Sequence, residues 1–318
     1  MPVSPATTRC LHCLVWLLFC FFFLGMASAC TKAGYTGRNA THDSTTSIPM
    51  PDTTGHLPGD PPQPLPAMEL LNEHYGDDPQ QVMDIYLPAG RSAATTRMMV
   101  FIHGGGWMGS DKRDFTPHID NMKNRDAKYA YVNLNYRLVQ GSKHTFPAAE
   151  EDINRAMEFL WRKADSFHIS RAAGLIGNSA GAHLAALQAC KHNSDGYIKA
   201  AVCLLGVYDM KRFYEDGSAG VPQLSIAVLG GTPDQLPALY RSSSPLFYVA
   251  GNTPPVMLIH GTEDTLARYS QAVAMDSALK KHGVIHELYT FKGGHVISAD
   301  KINDAAEKMF KFIAKYTK

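Results

Sequence analysis

Cysteine is scarce where it would shape a fold. The 318-residue chain has six. Cys10, Cys13, Cys20 and Cys30 all fall in the first 30 residues, leaving Cys190 and Cys203 for the rest. That excludes a disulfide-stapled scaffold. Cys203 lies in an apolar run, residues 200–205, so these two read as buried free thiols rather than a bridge. Charge of one sign is equally scarce. Thirty basic residues face 29 acidic ones, for a net charge of +1. There is no broad basic field for nucleic acid and no acidic tail. With 45% hydrophobic and 19% charged residues, the chain is neither a disordered polymer, nor collagen-like, nor a multi-pass membrane protein. Metal motifs are missing too. There is no H-E-x-x-H and no paired C-x-x-C, since Cys10-Leu11-His12-Cys13 lies in the leader. No metal and no cofactor is expected.

Charge vanishes altogether in one place. Between Cys10 and Thr31 there is no Lys, Arg, Asp or Glu, and residues 14–24 are apolar throughout. Arg9 and the amino terminus precede this run, and Ala27-Ser28-Ala29 follows it. This is the layout of a secretory signal peptide over residues 1–29. Met26-Ala27-Ser28-Ala29-Cys30 resembles a bacterial lipobox, departing from it at Ala27 where leucine is usual. Cys30 is therefore a candidate lipidation site, with a cell-envelope lipoprotein as the preferred reading. Plain secretion and an uncleaved anchor are the alternatives. All three put the folded part outside the cytoplasm, and in the lipoprotein and anchor readings membrane attachment is through the N-terminus only. Residues 30–66 are rich in Thr, Gly, Pro, Ser and Asp and read as a disordered tether. Asn39-Ala40-Thr41 is a glycosylation sequon, meaningful only in a eukaryotic secretory pathway.

From residue 80 onward, strand and helix patterns alternate without a repeat or a second linker. Strands are expected at 82–87, 98–102, 129–136, 172–176, 200–205, 256–259 and 286–291. Helices are expected at 148–163, 180–191, 269–281 and 302–316. This alternation argues for one α/β domain over residues 67–318, its mostly parallel sheet covered by helices on both faces. Residues 207–250 break the rhythm with Gly, Pro and Ser and no clear strand. They read as a lid-like insertion or a plain surface excursion.

Chemistry gathers at the strand ends. Gly177-Asn178-Ser179-Ala180-Gly181 matches G-x-S-x-G between an expected strand and an expected helix, the setting of a nucleophile elbow. A helix N-cap would also want a serine there, but not the flanking glycines. The helix N-terminus favours negative charge developing at Ser179. His103-Gly104-Gly105-Gly106-Trp107 follows another strand, and its amides suit an oxyanion hole. The expected donors are Gly105, Gly106 and, beside the serine, Ala180. Gly104, Gly106 and Gly109 also match G-x-G-x-x-G, but the polar run 110–114 that follows does not open the helix a dinucleotide site needs. Trp107 is a candidate wall of a substrate pocket, with core packing as the alternative. Among the 14 histidines, His295 in Lys292-Gly293-Gly294-His295 is best placed as the base, and His260 reads as structural. Asp264, in His260-Gly261-Thr262-Glu263-Asp264, is the expected orienting acid, with Glu263 and Asp209 as rivals.

Taken together, elbow, glycine loop and two strand-end acid/base positions resemble an α/β-hydrolase serine esterase. The loop His103-Gly104-Gly105-Gly106-Trp107 resembles that of the hormone-sensitive-lipase-like carboxylesterases. Asp84-Ile85-Tyr86-Leu87-Pro88, the run 103–112, Asn135-Tyr136-Arg137-Leu138, Phe146-Pro147-Ala148 and the run 177–183 are closer to the feruloyl/acetyl esterase (BD-FAE-like) group. The similarity covers about residues 80–317. It implies an α/β-hydrolase fold and cofactor-free hydrolysis of carboxylic esters, the substrate being a small-molecule or carbohydrate ester of short acyl length. It further implies that Tyr136, Arg137 and Asp152 are structural, with an arginine–carboxylate contact beneath the site. An amidase, an aryl-formamidase or a peptidase on the same triad is the second reading. A catalytically silent binding protein on the same fold is the third.

Overall fold

The sheet is ordered by hydrophobicity. The strand β3 (Arg97–Ile102) is buried on both faces, with Met98, Val100 and Ile102 in one apolar layer and Met99 and Phe101 in the other. Such two-sided burial is the mark of a parallel strand covered above and below. The computed structural model describes residues 64–126 and 128–318. The expected signal peptide, Cys30 and the sequon lie outside the described residues, as does most of the expected tether.

Eight strands among the described residues form one sheet in the order β1-β2-β4-β3-β5-β6-β7-β8. They are β1 (Met68–His74), β2 (Val82–Leu87), β3, β4 (Tyr129–Leu134), β5 (Ala173–Asn178), β6 (Ile198–Leu204), β7 (Val256–Gly261) and β8 (His286–Phe291). Only β2 runs against its neighbours; β3 to β8 are parallel. One face carries helices α2 (Ala148–Lys163), α3 (Ala180–Lys191) and α7 (Ser270–Lys281). The other carries α1 (Thr116–Arg125) and α8 (Ala299–Tyr316). Thr317 caps the end of helix α8 and reaches back to two strands, β3 and β4. Its carbonyl accepts from Arg97 Nε at 3.0 Å. Its hydroxyl donates to Ile313 O, so Tyr129 donates its own hydroxyl to Thr317 Oγ1 at 3.2 Å.

The pattern-based elements are present within two or three residues of their expected ends. Strand β1 was not expected. It lies at the sheet edge, mostly exposed, and a bulge between Leu70 and Glu73 breaks its alternation. Helix α1 was not expected either. Among its described side chains only Ile119 and Met122 anchor it, too few for an apolar stripe. The described residues include the last three of the expected tether, and two of these bond to the fold. Leu65 O accepts from Gly90 N at 2.8 Å, and Pro66 O accepts from the Arg91 guanidinium.

The insertion between β6 and β7 contains no strand, as expected, but it is not irregular. It folds as α4 (Met210–Asp216), α5 (Val221–Leu229), α6 (Pro237–Ser242) and a 3-10 turn (Pro245–Tyr248). Three of the four prolines in residues 207–250, Pro222, Pro237 and Pro245, stand in the first turns of α5, α6 and the 3-10 turn, where a missing N–H costs nothing. Its Val221, Val228, Leu229 and Tyr240 join the core layer of α2 and α3. Cys190 and Cys203 are free thiols, and burial pushes Cys190 up to about 12. Among the described residues, no helix is long and apolar enough to cross a membrane, and no group of three or more His, Cys, Asp or Glu is placed to hold a metal ion.

Candidate active site

All the candidate groups stand at the carboxyl ends of parallel strands, where open α/β sheets place their clefts. The glycine loop follows β3 and Ser179 follows the adjacent β5. Asp264 follows β7 and His295 follows the adjacent β8.

Ser179 is held under strain. Its backbone takes φ 53° and ψ −115°, outside the basins that L-residues prefer. Its N–H donates to Leu204 O at 2.8 Å, and its carbonyl accepts from His183 N at 3.1 Å. The turn closes only because Gly181 has no side chain. A Cβ there would lie 2.0 Å from Ile102 O and 2.5 Å from His103 O, so the elbow helix rests directly on the backbone of β3. Ser179 caps α3, whose first amides have no intrahelical acceptor.

The structure brings the three expected side chains into one hydrogen-bonded row. Ser179 Oγ is 2.8 Å from His295 Nε2, and His295 Nδ1 is 2.7 Å from Asp264 Oδ2. Asp264 is buried, and its other oxygen accepts from Leu266 N at 2.9 Å and Ala267 N at 3.0 Å. A carboxylate only accepts, so Nδ1 carries the imidazole proton and Nε2 is free to receive one from the serine. His260 is fully buried beneath. Its Nε2 lies 2.7 Å from Ala267 O and 3.4 Å from Asp264 Oδ2, so the carbonyl takes the stronger bond. Burial alone would raise Asp264, but its contacts with His260 and His295 outweigh burial and hold it at about 2.

A folded-state value of about 2 against an ordinary 3.8 means that this carboxylate stabilises the fold above pH 4. That contribution is lost as pH falls through about 4 to about 2. The expected size is on the order of 2 kcal/mol. Thermal melts of the wild type and Asp264→Asn should therefore differ near neutrality and converge across that window. A gap that persists unchanged down to pH 2 would contradict the assignment.

The rivals for the acid are engaged elsewhere. Asp209 caps α4, accepting from Arg212 N at 3.1 Å. Gln271 fixes the same corner, accepting from Tyr208 N and Asp209 N at 2.8 Å. The Glu263 side chain is 58% exposed and 3.9 Å from Lys292 Nζ.

The glycine loop is tightly specified. Gly105 and Gly106 both have positive φ, at 93° and 59°. Gly105 O accepts from Met108 N at 3.1 Å and Gly109 N at 3.0 Å. No backbone hydrogen bond among the described residues uses the amides of Gly105 or Gly106. Trp107 packs in the core, the alternative named for it. Its ring is 2% exposed, edge-on to His183 and Phe213, which places it in the core rather than on an open wall. Its indole N–H donates to His183 Nδ1 at 3.3 Å, and His183 Nε2 donates to Ser243 O at 2.6 Å. Burial pushes His183 down to about 4 and so keeps the bridge neutral. His183 thus ties glycine loop, elbow helix and insertion together. Sequence reading gave it no role, although its i,i+4 spacing from Ser179 was the available signal. The implied arginine–carboxylate contact is present, with Arg137 Nη2 2.7 Å from Asp152 Oδ1.

A sequence model of the BD-FAE family matches residues 83–279, well over half of the chain. The chain belongs to the BD-FAE family. Among the relatives of this BD-FAE chain is esterase LipQ of Mycobacterium tuberculosis (strain ATCC 25618 / H37Rv), 27% identical over 72% of this chain and 56% of LipQ. Esterase LipC of the same strain is 27% identical over 62% of this chain and 52% of LipC. The chain spans just over half the length of these curated relatives. Among solved structures, a bifunctional GH43-CE protein of Bacteroides eggerthii superposes with a TM-score of 0.68 at 23% identity, over 78% of this chain and 38% of that one. Esterase Est2 of Thermogutta terrifontis gives 0.62 at 22% identity, over 78% and 92%. The BD-FAE chain has the α/β-hydrolase fold.

Proposed function

We propose that this chain is a serine hydrolase of carboxylic esters. The row Ser179–His295–Asp264, at 2.8 and 2.7 Å, is the observation that carries the reading. His295 Nε2 takes the Ser179 proton as Oγ bonds to the ester carbonyl carbon, and the carbonyl π pair moves onto oxygen. The amides of Gly105, Gly106 and Ala180 receive that oxyanion. The intermediate collapses, the bond to the alcohol oxygen breaks, and His295 returns the proton to the leaving alkoxide. Water, deprotonated by His295, then attacks the acyl-serine. The carboxylic acid leaves and Ser179 regains its proton. Asp264 stays ionised throughout and holds the tautomer.

The esterase names of the relatives support the reaction class. Neighbours described as a GH43-CE protein, a carbohydrate esterase from gut microbiota and an acetyl ester-xyloside bifunctional hydrolase support short acyl groups on carbohydrates, acetyl first; a feruloyl ester is the alternative drawn from the family resemblance. Export, with lipidation at Cys30, is proposed from the leader sequence.

Hydrolysis of p-nitrophenyl acetate, butyrate and octanoate tests this, with p-nitroacetanilide as the amide control and a fluorophosphonate probe to tag the nucleophile. We expect turnover falling from acetate to octanoate, with the probe on Ser179. A folded protein that neither turns over esters nor takes the label would move the weight to a silent binding protein. Faster anilide than ester cleavage would make it an amidase.

A further inference from the structure

The donors of an oxyanion hole are backbone amides, so something must fix the orientation of their peptide planes. In a trans peptide the C=O and the following N–H point in opposite directions. A donor that grips the carbonyl oxygen therefore aims the amide on the far side. The peptide joining Gly104 to Gly105 is gripped in this way twice. The Tyr136 hydroxyl lies 3.0 Å from Gly104 O, and also 3.1 Å from His103 O. His103 Nδ1 lies 2.9 Å from Gly104 O. Both side chains are buried at 1% exposure, with their rings stacked at 4.3 Å and 10°.

The protonation states follow from the surroundings. Burial lowers the His103 imidazole and keeps it neutral, so one ring nitrogen carries hydrogen. A carbonyl cannot donate, so that nitrogen is Nδ1. Burial likewise raises the Tyr136 phenol, so its hydroxyl keeps its proton. On its other side Gly104 meets the nucleophile elbow. A Cβ there would lie 3.0 Å from Asn178 O and 3.4 Å from Ser179 Cβ. The next peptide is gripped too, but by backbone, through the bonds from Met108 and Gly109 to Gly105 O.

We infer that Tyr136 and His103 are positioning residues for the oxyanion hole, holding the Gly104 carbonyl from behind so that the Gly105 N–H faces the reacting ester. This rests on the serine-hydrolase reading. It assigns Tyr136 work beyond packing beneath the site. Neither residue touches substrate. Both act through the peptide plane.

The test is Tyr136→Phe, which keeps the ring stack and removes only the hydroxyl. With p-nitrophenyl acetate, kcat should fall by about 10- to 100-fold with KM held within about twofold, the pattern of a contact made only in the transition state. A methyl trifluoromethyl ketone forms a tetrahedral adduct with Ser179 and bears the oxyanion, so its inhibition constant should rise by the same factor as kcat falls. A purely structural hydroxyl predicts otherwise: a lower melting temperature with kcat and ketone affinity unchanged, which would overturn the inference. A loss of kcat without a matching loss of ketone affinity would overturn it as well. Should Tyr136→Phe fail to fold, His103→Phe keeps the stack, removes the Nδ1 donor and carries the same readouts. Failure of the serine-hydrolase reading itself is seen separately, as a wild type that neither turns over ester nor takes the fluorophosphonate.

Discussion

Ser179→Ala is expected to lose turnover of p-nitrophenyl acetate by about 10⁴- to 10⁶-fold, as removal of a nucleophile does when the rest of a triad stays in place. No neighbouring group can substitute. Asn178 is an amide and Ala180 is inert, and among the described residues His295 Nε2 has Ser179 Oγ as its hydrogen-bond partner. The same position should show opposite effects on activity and stability. At φ 53° and ψ −115° any L-residue is strained by about 1–3 kcal/mol. Alanine inherits that strain and glycine does not. Glycine's greater chain entropy offsets about 0.5–1 kcal/mol. Ser179→Gly should therefore be as dead as Ser179→Ala, yet more stable by about 1 kcal/mol, or about 3 °C in Tm. Matched melts of the two variants check the strain. Activity of Ser179→Ala within tenfold of wild type would remove Ser179 from the mechanism.

Asp264→Asn should lower kcat by about 10⁴-fold while leaving the fold intact. The asparagine keeps its oxygen on Leu266 N and Ala267 N, the acceptor position of Oδ1. Its amide nitrogen then faces His295 Nδ1, where Asp264 Oδ2 stood at 2.7 Å. An N–H now points at Nδ1, which must accept. The imidazole proton is driven to Nε2, and Nε2 can no longer take the serine proton. Fluorophosphonate labelling should slow in parallel, because it needs the same base. If Asp264→Asn stays within tenfold of wild type while Asp209→Asn does not, the orienting acid is at the start of the insertion instead.

Much of this was legible in the sequence, for a physical reason. Parallel strands buried on both faces read as apolar runs, so the strands bearing Ser179 and the glycine loop announce themselves, and the glycines mark where backbone meets backbone. Edge strand β1 and helix α1 bury too little to leave a pattern. The helices of the insertion were hidden by prolines that punctuate loops and start helices equally well. The supporting polar contacts were the least legible. His183 and Tyr136 sit in motifs whose residues are named easily, yet their partners, Trp107 and Gly104, are brought to them only by the packing of β3, β4 and α3. No local rule encodes a hydroxyl behind a carbonyl 32 residues away.

The closure of Thr317 onto Arg97 spans 220 residues. A ribosome adding roughly 5–20 residues per second needs on the order of 10–45 s to cover that distance. Until then the face of the sheet that carries α1 over β4 lacks α8, which packs on β6 and β7. Val202 of β6 and Met257 of β7 are then open to water on that face, or to whatever binds apolar surface. Folding of this chain is therefore governed by long-range contacts and slow by topology, and its yield should depend on what shields one face of a half-built sheet until residue 317 arrives.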